Sequence, residues 1–175
     1  MTVEVNGIAH IQLTVSRPEL CLPFWEKFCH FLEMKTLIKN DTTLYCIGSR
    51  TGLLIREAPE DKKHIAFDQD TSGLHHFCLR ARSKEDVDAI YTFIQADLDA
   101  RIIHGPEDGS HFAPGYYSIL FEDPDGIRIE VNYVPGKGHL GDQGRLGPNG
   151  PGPSDQYDEQ RSEEHTSELQ SHLNL

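Results

Sequence analysis

Three side chains, His10, His76 and Glu130, are of the types needed to hold one divalent metal ion. Two imidazoles and a carboxylate suit zinc, nickel, manganese or iron(II), and three protein ligands leave coordination positions open for a substrate. The three lie far apart in the chain, so spacing alone says little. An internal repeat says more. Residues 7–15 read GIAHIQLTV and residues 73–81 read GLHHFCLRA, an offset of 66 that places His10 on His76. The same offset aligns Glu19 with Glu85, Trp25 with Tyr91, Phe28 with Ile94 and Leu32 with Leu98. Near the end of each half the offset becomes 74, so Gly52, Leu53 and Ile55 fall on Gly126, Ile127 and Ile129. The additional residues fit the loop around Asp108 to Gly115. By that offset Arg56 matches Glu130, and an arginine does not ligate a metal. Arg56 could instead grip a substrate carboxylate or phosphate with its planar fork.

The elements that must position these groups follow from periodicity. Each half opens on an alternating strand, Ile8 to Val15 and then His76 to Ala81. A helix follows, with Ser16-x-x-Glu19 and Ser83-x-x-Asp86 as expected capping boxes. Leu20, Phe24, Phe28 and Leu32 trace one apolar stripe, and Val87, Ile90, Tyr91, Ile94 and Leu98 the other. A short strand comes next (Thr36 to Lys39; Arg101 to His104), then two more. Thr43 to Gly48 leads into Gly52 to Glu57, and Tyr116 to Glu122 leads into Ile127 to Tyr133 through the turn Asp123-Pro124-Asp125-Gly126. Each half is therefore β-α-β-β-β. The first module is expected over 7–58 and the second over 73–135. The fold class is α+β, with a curled mixed sheet around a shared cleft and the helices outside.

Alternation assigns faces. Ile11, Leu13 and Val15 face the helix, as do Phe77, Leu79 and Ala81, and Ile127, Ile129 and Val131. His10, Gln12 and Thr14 face away from it, with His76, Cys78 and Arg80, and with Arg128, Glu130 and Asn132. That second face is polar and suits a small-molecule cleft. His75 falls on the helix side and reads as a packing residue. Cys78 reads as a small filler. Glu130 on a sheet face needs a partner, and a Glu130–Arg56 salt bridge in a metal-free binder is the structural alternative to metal ligation.

The chain resembles the vicinal oxygen chelate superfamily, which includes glyoxalase I, extradiol dioxygenases and bleomycin-binding proteins. The resemblance covers about residues 7–135. Its carriers are the duplicated β-α-β-β-β unit, His10, the string Gly73-Leu74-His75-His76, and the closing string from Glu122-Asp123-Pro124-Asp125-Gly126 to Glu130. It implies His10, His76 and Glu130 as ligands of one divalent metal ion. It also implies a substrate that chelates this ion through two neighbouring oxygens. Arg56 departs from the glyoxalase pattern, which usually has a glutamate there. The catalytic set read from the residues is Glu130, Tyr116 and Arg56; one of Tyr116 and Tyr117 is expected to face the cleft as a hydrogen-bond donor to an oxyanion, and Glu57, Tyr116 and a metal-bound hydroxide are the candidate bases. A lyase, isomerase or epimerase is the first expectation. An iron(II) extradiol dioxygenase and a metal-free drug- or metabolite-binding protein are the alternatives. Relatives often dimerise, so a homodimer is expected.

Bulk properties are compatible with this. The chain has 175 residues and a formal net charge of −12, which argues against nucleic acid or an anionic membrane as partner. No apolar stretch approaches the roughly 18 residues needed to cross a bilayer. No signal peptide is read in residues 1–6. The four cysteines, Cys21, Cys29, Cys46 and Cys78, form no CxxC pair, and a reducing, cytoplasmic compartment is expected. Residues 136–160 are rich in Gly and Pro and are expected to form a flexible tail. Residues 161–175 begin RSEEHTSELQS, which reads as the translation of a sequencing adapter and is set aside as an artefact.

Overall fold

The computed structural model describes residues 7–48 and 50–135. The tail expected over 136–160 and the segment 161–175 lie outside the described residues.

The elements run β1 (His10–Val15), α1 (Pro18–Phe31), β2 (Lys35–Asn40), β3 (Thr43–Gly48) and β4 (Thr51–Glu57). A short 3₁₀ turn follows at Glu60–Lys62. Then come β5 (Phe77–Arg80), α2 (Lys84–Asp97), β6 (Arg101–Asp108), β7 (Tyr117–Glu122) and β8 (Arg128–Tyr133). The fold is α+β and repeats one β-α-β-β-β unit. Its strands form two four-stranded mixed ladders, ordered β1-β4-β3-β2 and β5-β8-β7-β6, rather than one continuous sheet. The first strand of each half thus lies at a sheet edge and pairs in parallel with the last.

Burial follows the alternation. In β1, Leu13 and Val15 are buried while His10, Gln12 and Thr14 are exposed. In β8, Ile129 and Val131 are buried and Arg128, Glu130 and Asn132 are half-buried. Leu53, Ile55, Phe121 and Ile127 complete the same apolar face.

Helix α1 departs from its expected stripe. Its buried residues are Cys21, Phe24, Trp25, Phe28 and Cys29, whereas Leu20 is 48% exposed. The buried arc has turned one residue along to carry Trp25 inward. Trp25 stacks on Phe77 of β5 at 6.1 Å and meets Phe24 and Phe28 edge-on, and Phe28 meets Phe121 of β7 at 5.4 Å. The first module's helix therefore packs on strands of the second, and each large aromatic contributes roughly 1.5–3 kcal/mol of burial.

The N-cap of α1 is Arg17, not Ser16, and no side chain caps it. Pro18 fills the first turn, where a missing N–H costs nothing. Ser16 is engaged elsewhere: its amide and its hydroxyl both donate to Asp125. The second helix keeps the expected cap, since Ser83 Oγ accepts from the amide of Asp86 at 3.1 Å.

By contact the described residues divide into two units. The larger takes residues 7–107 with Ser118–Asn132, and the smaller takes Asp108–Tyr117 with 133–135. Within the smaller unit, Gly109 N–H donates to Tyr116 O and the Phe112 ring lies 5.5 Å from that of Tyr116. Gly115 there has φ of 73°, and a Cβ on it would sit 2.5 Å from Pro135, so only glycine serves.

Candidate metal centre

In the second module, strand pairing assembles part of the site. β5 and β8 run parallel with Cys78 opposite Glu130. His76 stands just before β5, two residues ahead of Cys78. Its Nε2 lies 3.2 Å from Glu130 Oε2. Two donors on one zinc-like ion, each about 2.0–2.2 Å from it, stand roughly 3–3.5 Å apart at right-angled or tetrahedral geometry. The separation of His76 and Glu130 therefore fits two neighbouring ligands of one cation. Cys78 is exposed at its surface, yet lost hydration and then the nearby Glu130 carboxylate push its thiol well above the ordinary range. That direction favours the neutral thiol beside Glu130.

His10 begins β1 opposite Gly52 and is exposed. Among the described residues, no three His, Cys, Asp or Glu side chains converge closely enough to hold a metal ion. Among the described residues, His76 and Glu130 are brought together, and His10 does not join them in a three-donor group.

The strand ladders also correct the counterpart of Glu130. His10 is equivalent to His76, so Gln12 is equivalent to Cys78. Gln12 pairs with Leu54, while Arg56 pairs with Thr14. Leu54, not Arg56, occupies the rung that Glu130 takes in the second half. The hairpin before the last strand closes at Gly48 and Thr51 in the first module and at Asp123 and Ile127 in the second. One offset carried through turns of different length misplaces the rung. Neither Leu54 nor Arg56 can ligate a metal.

Arg56 is exposed and makes no ion pair among the described residues, so the Glu130–Arg56 salt bridge does not form. Glu57 is tied to Lys63 Nζ at 2.6 Å and is occupied as a base. Tyr116 belongs to the smaller unit, against Phe112.

Two features carry no simple sequence signal. His75, expected to pack on the helix side, is exposed, and its Nδ1 lies 2.7 Å from His76 Nδ1. It stands before the strand proper, where strict alternation does not hold. The second feature is the turn that leads to Glu130. Asp123 is buried and accepts from Trp25 Nε1, Asp125 N and Ile127 N, each at 2.9 Å. Burial raises its carboxyl to about 6 despite these donors. Burial would raise Asp125 as well, but hydrogen bonds from Arg17 and Ser16 outweigh it and hold that carboxyl below its usual range. Arg17 Nε donates to Asp125 Oδ1 at 2.9 Å, and its guanidinium also reaches Pro124 O. A lone tryptophan in an apolar helix needs an N–H partner, and that need was the one available hint.

Behind the site, buried Glu122 holds Arg128 Nε and Arg101 Nη1, both at 3.2 Å. This fixes the start of β8, two residues ahead of Glu130.

Comparison with known proteins agrees with this architecture. Over 122 residues the chain is 29% identical to the uncharacterized protein YqjT of Bacillus subtilis (strain 168), covering 70% of this chain and 94% of that protein. Among solved structures, a Bacillus halodurans protein provisionally assigned as a glyoxalase superposes with a TM-score of 0.63 at 22% identity, covering 73% of this chain and 96% of that one. Lactoylglutathione lyase from Agrobacterium tumefaciens superposes with a TM-score of 0.54 at 20% identity, covering 74% and 94%. A glyoxalase/bleomycin resistance protein from Albidiferax ferrireducens T118 gives 0.57 at 17%, covering 73% and 98%. The model of the Glyoxalase/Bleomycin resistance protein/Dioxygenase superfamily matches residues 7–131, in keeping with the duplicated module, and the chain belongs to that superfamily.

Proposed function

We propose that this protein is a divalent-metal-dependent enzyme of glyoxalase type, a lyase, isomerase or epimerase acting on a small substrate with two neighbouring oxygens. The carrying observation is the 3.2 Å approach of His76 Nε2 to Glu130 Oε2 on one sheet face. His76 and Glu130 are two ligands of zinc, nickel, manganese or iron(II). His10 is the third, supplied by the second copy in a homodimer. Support for that division is that His10 is exposed on an edge strand and does not reach the other two donors within the chain. Ile8 and Leu74, two residues before His10 and His76, are 65% and 39% exposed, which suits burial against a second copy.

When bound, the ion supplies Lewis acidity to the chelating substrate oxygens. The chain does the positioning. β8, held by Glu122 through Arg128, presents Glu130, and the segment leading into β5 presents His76. Arg56, with no ion pair among the described residues, is available to an anionic substrate group. Four free cysteines fit a cytoplasmic location, and no helix among the described residues is long and apolar enough to cross a membrane.

The test is elemental analysis of protein purified without added metal, followed by titration with each ion. One metal per chain is expected, with uptake lost in His76→Ala and Glu130→Gln. Wild-type protein that takes up none of the four ions overturns the reading. A metal-free binding protein is then the second reading, favoured by the convergence of only two donors within a chain. Oxygen uptake with a catechol after anaerobic iron loading would instead mark a ring-cleaving dioxygenase.

A further inference from the structure

We infer that His75 is a positioning residue that fixes the tautomer and ring orientation of His76. The inference rests on the metal reading above. A ligating imidazole binds with one ring nitrogen and needs a hydrogen-bond partner for the other, or its ring turns freely and the wrong nitrogen carries the hydrogen. His76 directs Nε2 at Glu130, at 3.2 Å, so Nδ1 is the nitrogen that needs a partner. That partner is His75 Nδ1, at 2.7 Å. The two rings stand nearly perpendicular, at 79°, with centroids 5.0 Å apart, so the contact is edgewise between nitrogens and not a stack.

A hydrogen bond between two Nδ1 atoms requires one to hold the hydrogen and the other a lone pair. With neither ring protonated and no metal, the Glu130 carboxylate 3.2 Å away favours a hydrogen on His76 Nε2, so the hydrogen in the Nδ1 contact belongs to His75. When His76 Nε2 binds a cation it gives up its hydrogen, and Nδ1 must carry one. His75 then accepts at Nδ1 and carries its own hydrogen at Nε2. Both rings change tautomer together. The hydrogen shared between the Nδ1 atoms moves to His76, and solvent returns one to His75 Nε2 in place of that lost from His76 Nε2. The pair holds two ring hydrogens before and after, so it releases no proton on metal uptake.

The measurement is ¹⁵N-edited NMR of the histidine rings in the full chain, without metal and with one equivalent of zinc. Zinc is expected to convert His76 to the Nδ1–H form and His75 to the Nε2–H form. His75→Ala should weaken zinc binding about tenfold to a hundredfold. His75→Asn, whose amide oxygen can accept from Nδ1–H, should restore most of that loss, whereas His75→Phe should not. If zinc shifts His76 and Glu130 while His75 keeps its hydrogen on Nδ1, the inference is overturned and the metal reading stands. Unchanged zinc affinity in both His75→Ala and His75→Phe has the same meaning. If zinc shifts none of the three side chains, the metal reading falls and takes the inference with it.

Discussion

The indole N–H of Trp25, on the helix of the first module, donates to the carboxylate of Asp123, in the closing turn of the second, at 2.9 Å in a buried setting. This bond ties the helix of one repeat to the turn that sets the start of the strand bearing Glu130. Trp25→Phe keeps most of the apolar volume but leaves that carboxylate one donor short. Loss of a hydrogen bond to a buried charge costs about 1.5–3 kcal/mol. Urea unfolding at neutral pH should show a loss of that size, and a change below about 0.5 kcal/mol would mean the bond contributes little.

The same carboxylate makes stability depend on pH. Burial raises Asp123 to about 6 from its ordinary 3.8. A raised carboxyl favours its protonated form in the folded state. Its contribution is therefore fully present below about pH 3.8 and is lost as pH rises through about 6. A shift of this size corresponds to about 3 kcal/mol. The difference in unfolding free energy between wild type and Asp123→Asn should move in the wild type's favour by up to that amount between pH 7 and pH 4. A difference that is flat across the window would refute the assignment.

Asp125 has the opposite sign. Its carboxyl is held low by Arg17 and Ser16 against the pull of burial. The stability it provides is present above its ordinary range near pH 4 and is lost as pH falls further. Asp125→Ala should cost about 1–3 kcal/mol at pH 7 by leaving the Ser16 amide and hydroxyl unpaired. Arg17→Ala should cost less, because the Arg17 side chain is 49% exposed.

Division of the metal ligands between two copies has a direct test. His10→Ala and His76→Ala proteins should each fail to bind metal tightly. Mixed in equal amounts after dissociation and reassociation, random pairing should restore tight binding at about a quarter of all sites. No recovery on mixing, with dimer exchange verified by mass spectrometry, would place all ligands within one chain.

Gly126 closes the turn before β8 with φ of 87°, and its amide donates to Asp123 O at 3.0 Å. No atom lies within 4 Å of a Cβ built there, so Gly126→Ala is a test of backbone strain alone. It should cost about 1–2 kcal/mol, and Gly126→Asn less. Thermal unfolding of the two variants supplies the comparison.

Much of this architecture was legible in the sequence because its signals are local. Alternation in Ile8 to Val15 and in Ile127 to Tyr133 gave the faces, and Ser83 gave its helix start. The repeat gave His10 and His76 equivalent places in the two modules. What failed were properties that arise between elements. The rung opposite Gln12 depends on turn length, so Leu54 and Arg56 were exchanged. Ser16 was read as a cap because the pull of Asp125, more than a hundred positions away, leaves no mark nearby. His75 was assigned by extending strand alternation two residues before the point where pairing begins.

The ladder register leaves the two modules unequal: on the rung where the second carries Glu130, the first carries Leu54. A single replacement, Leu54→Glu, would set a carboxylate opposite Gln12 as Glu130 is set opposite Cys78, whereas Arg56→Glu would place it one turn of the pleat too far along. Position 54 is thus the one place in the first half where a single side chain would make the two ladders match.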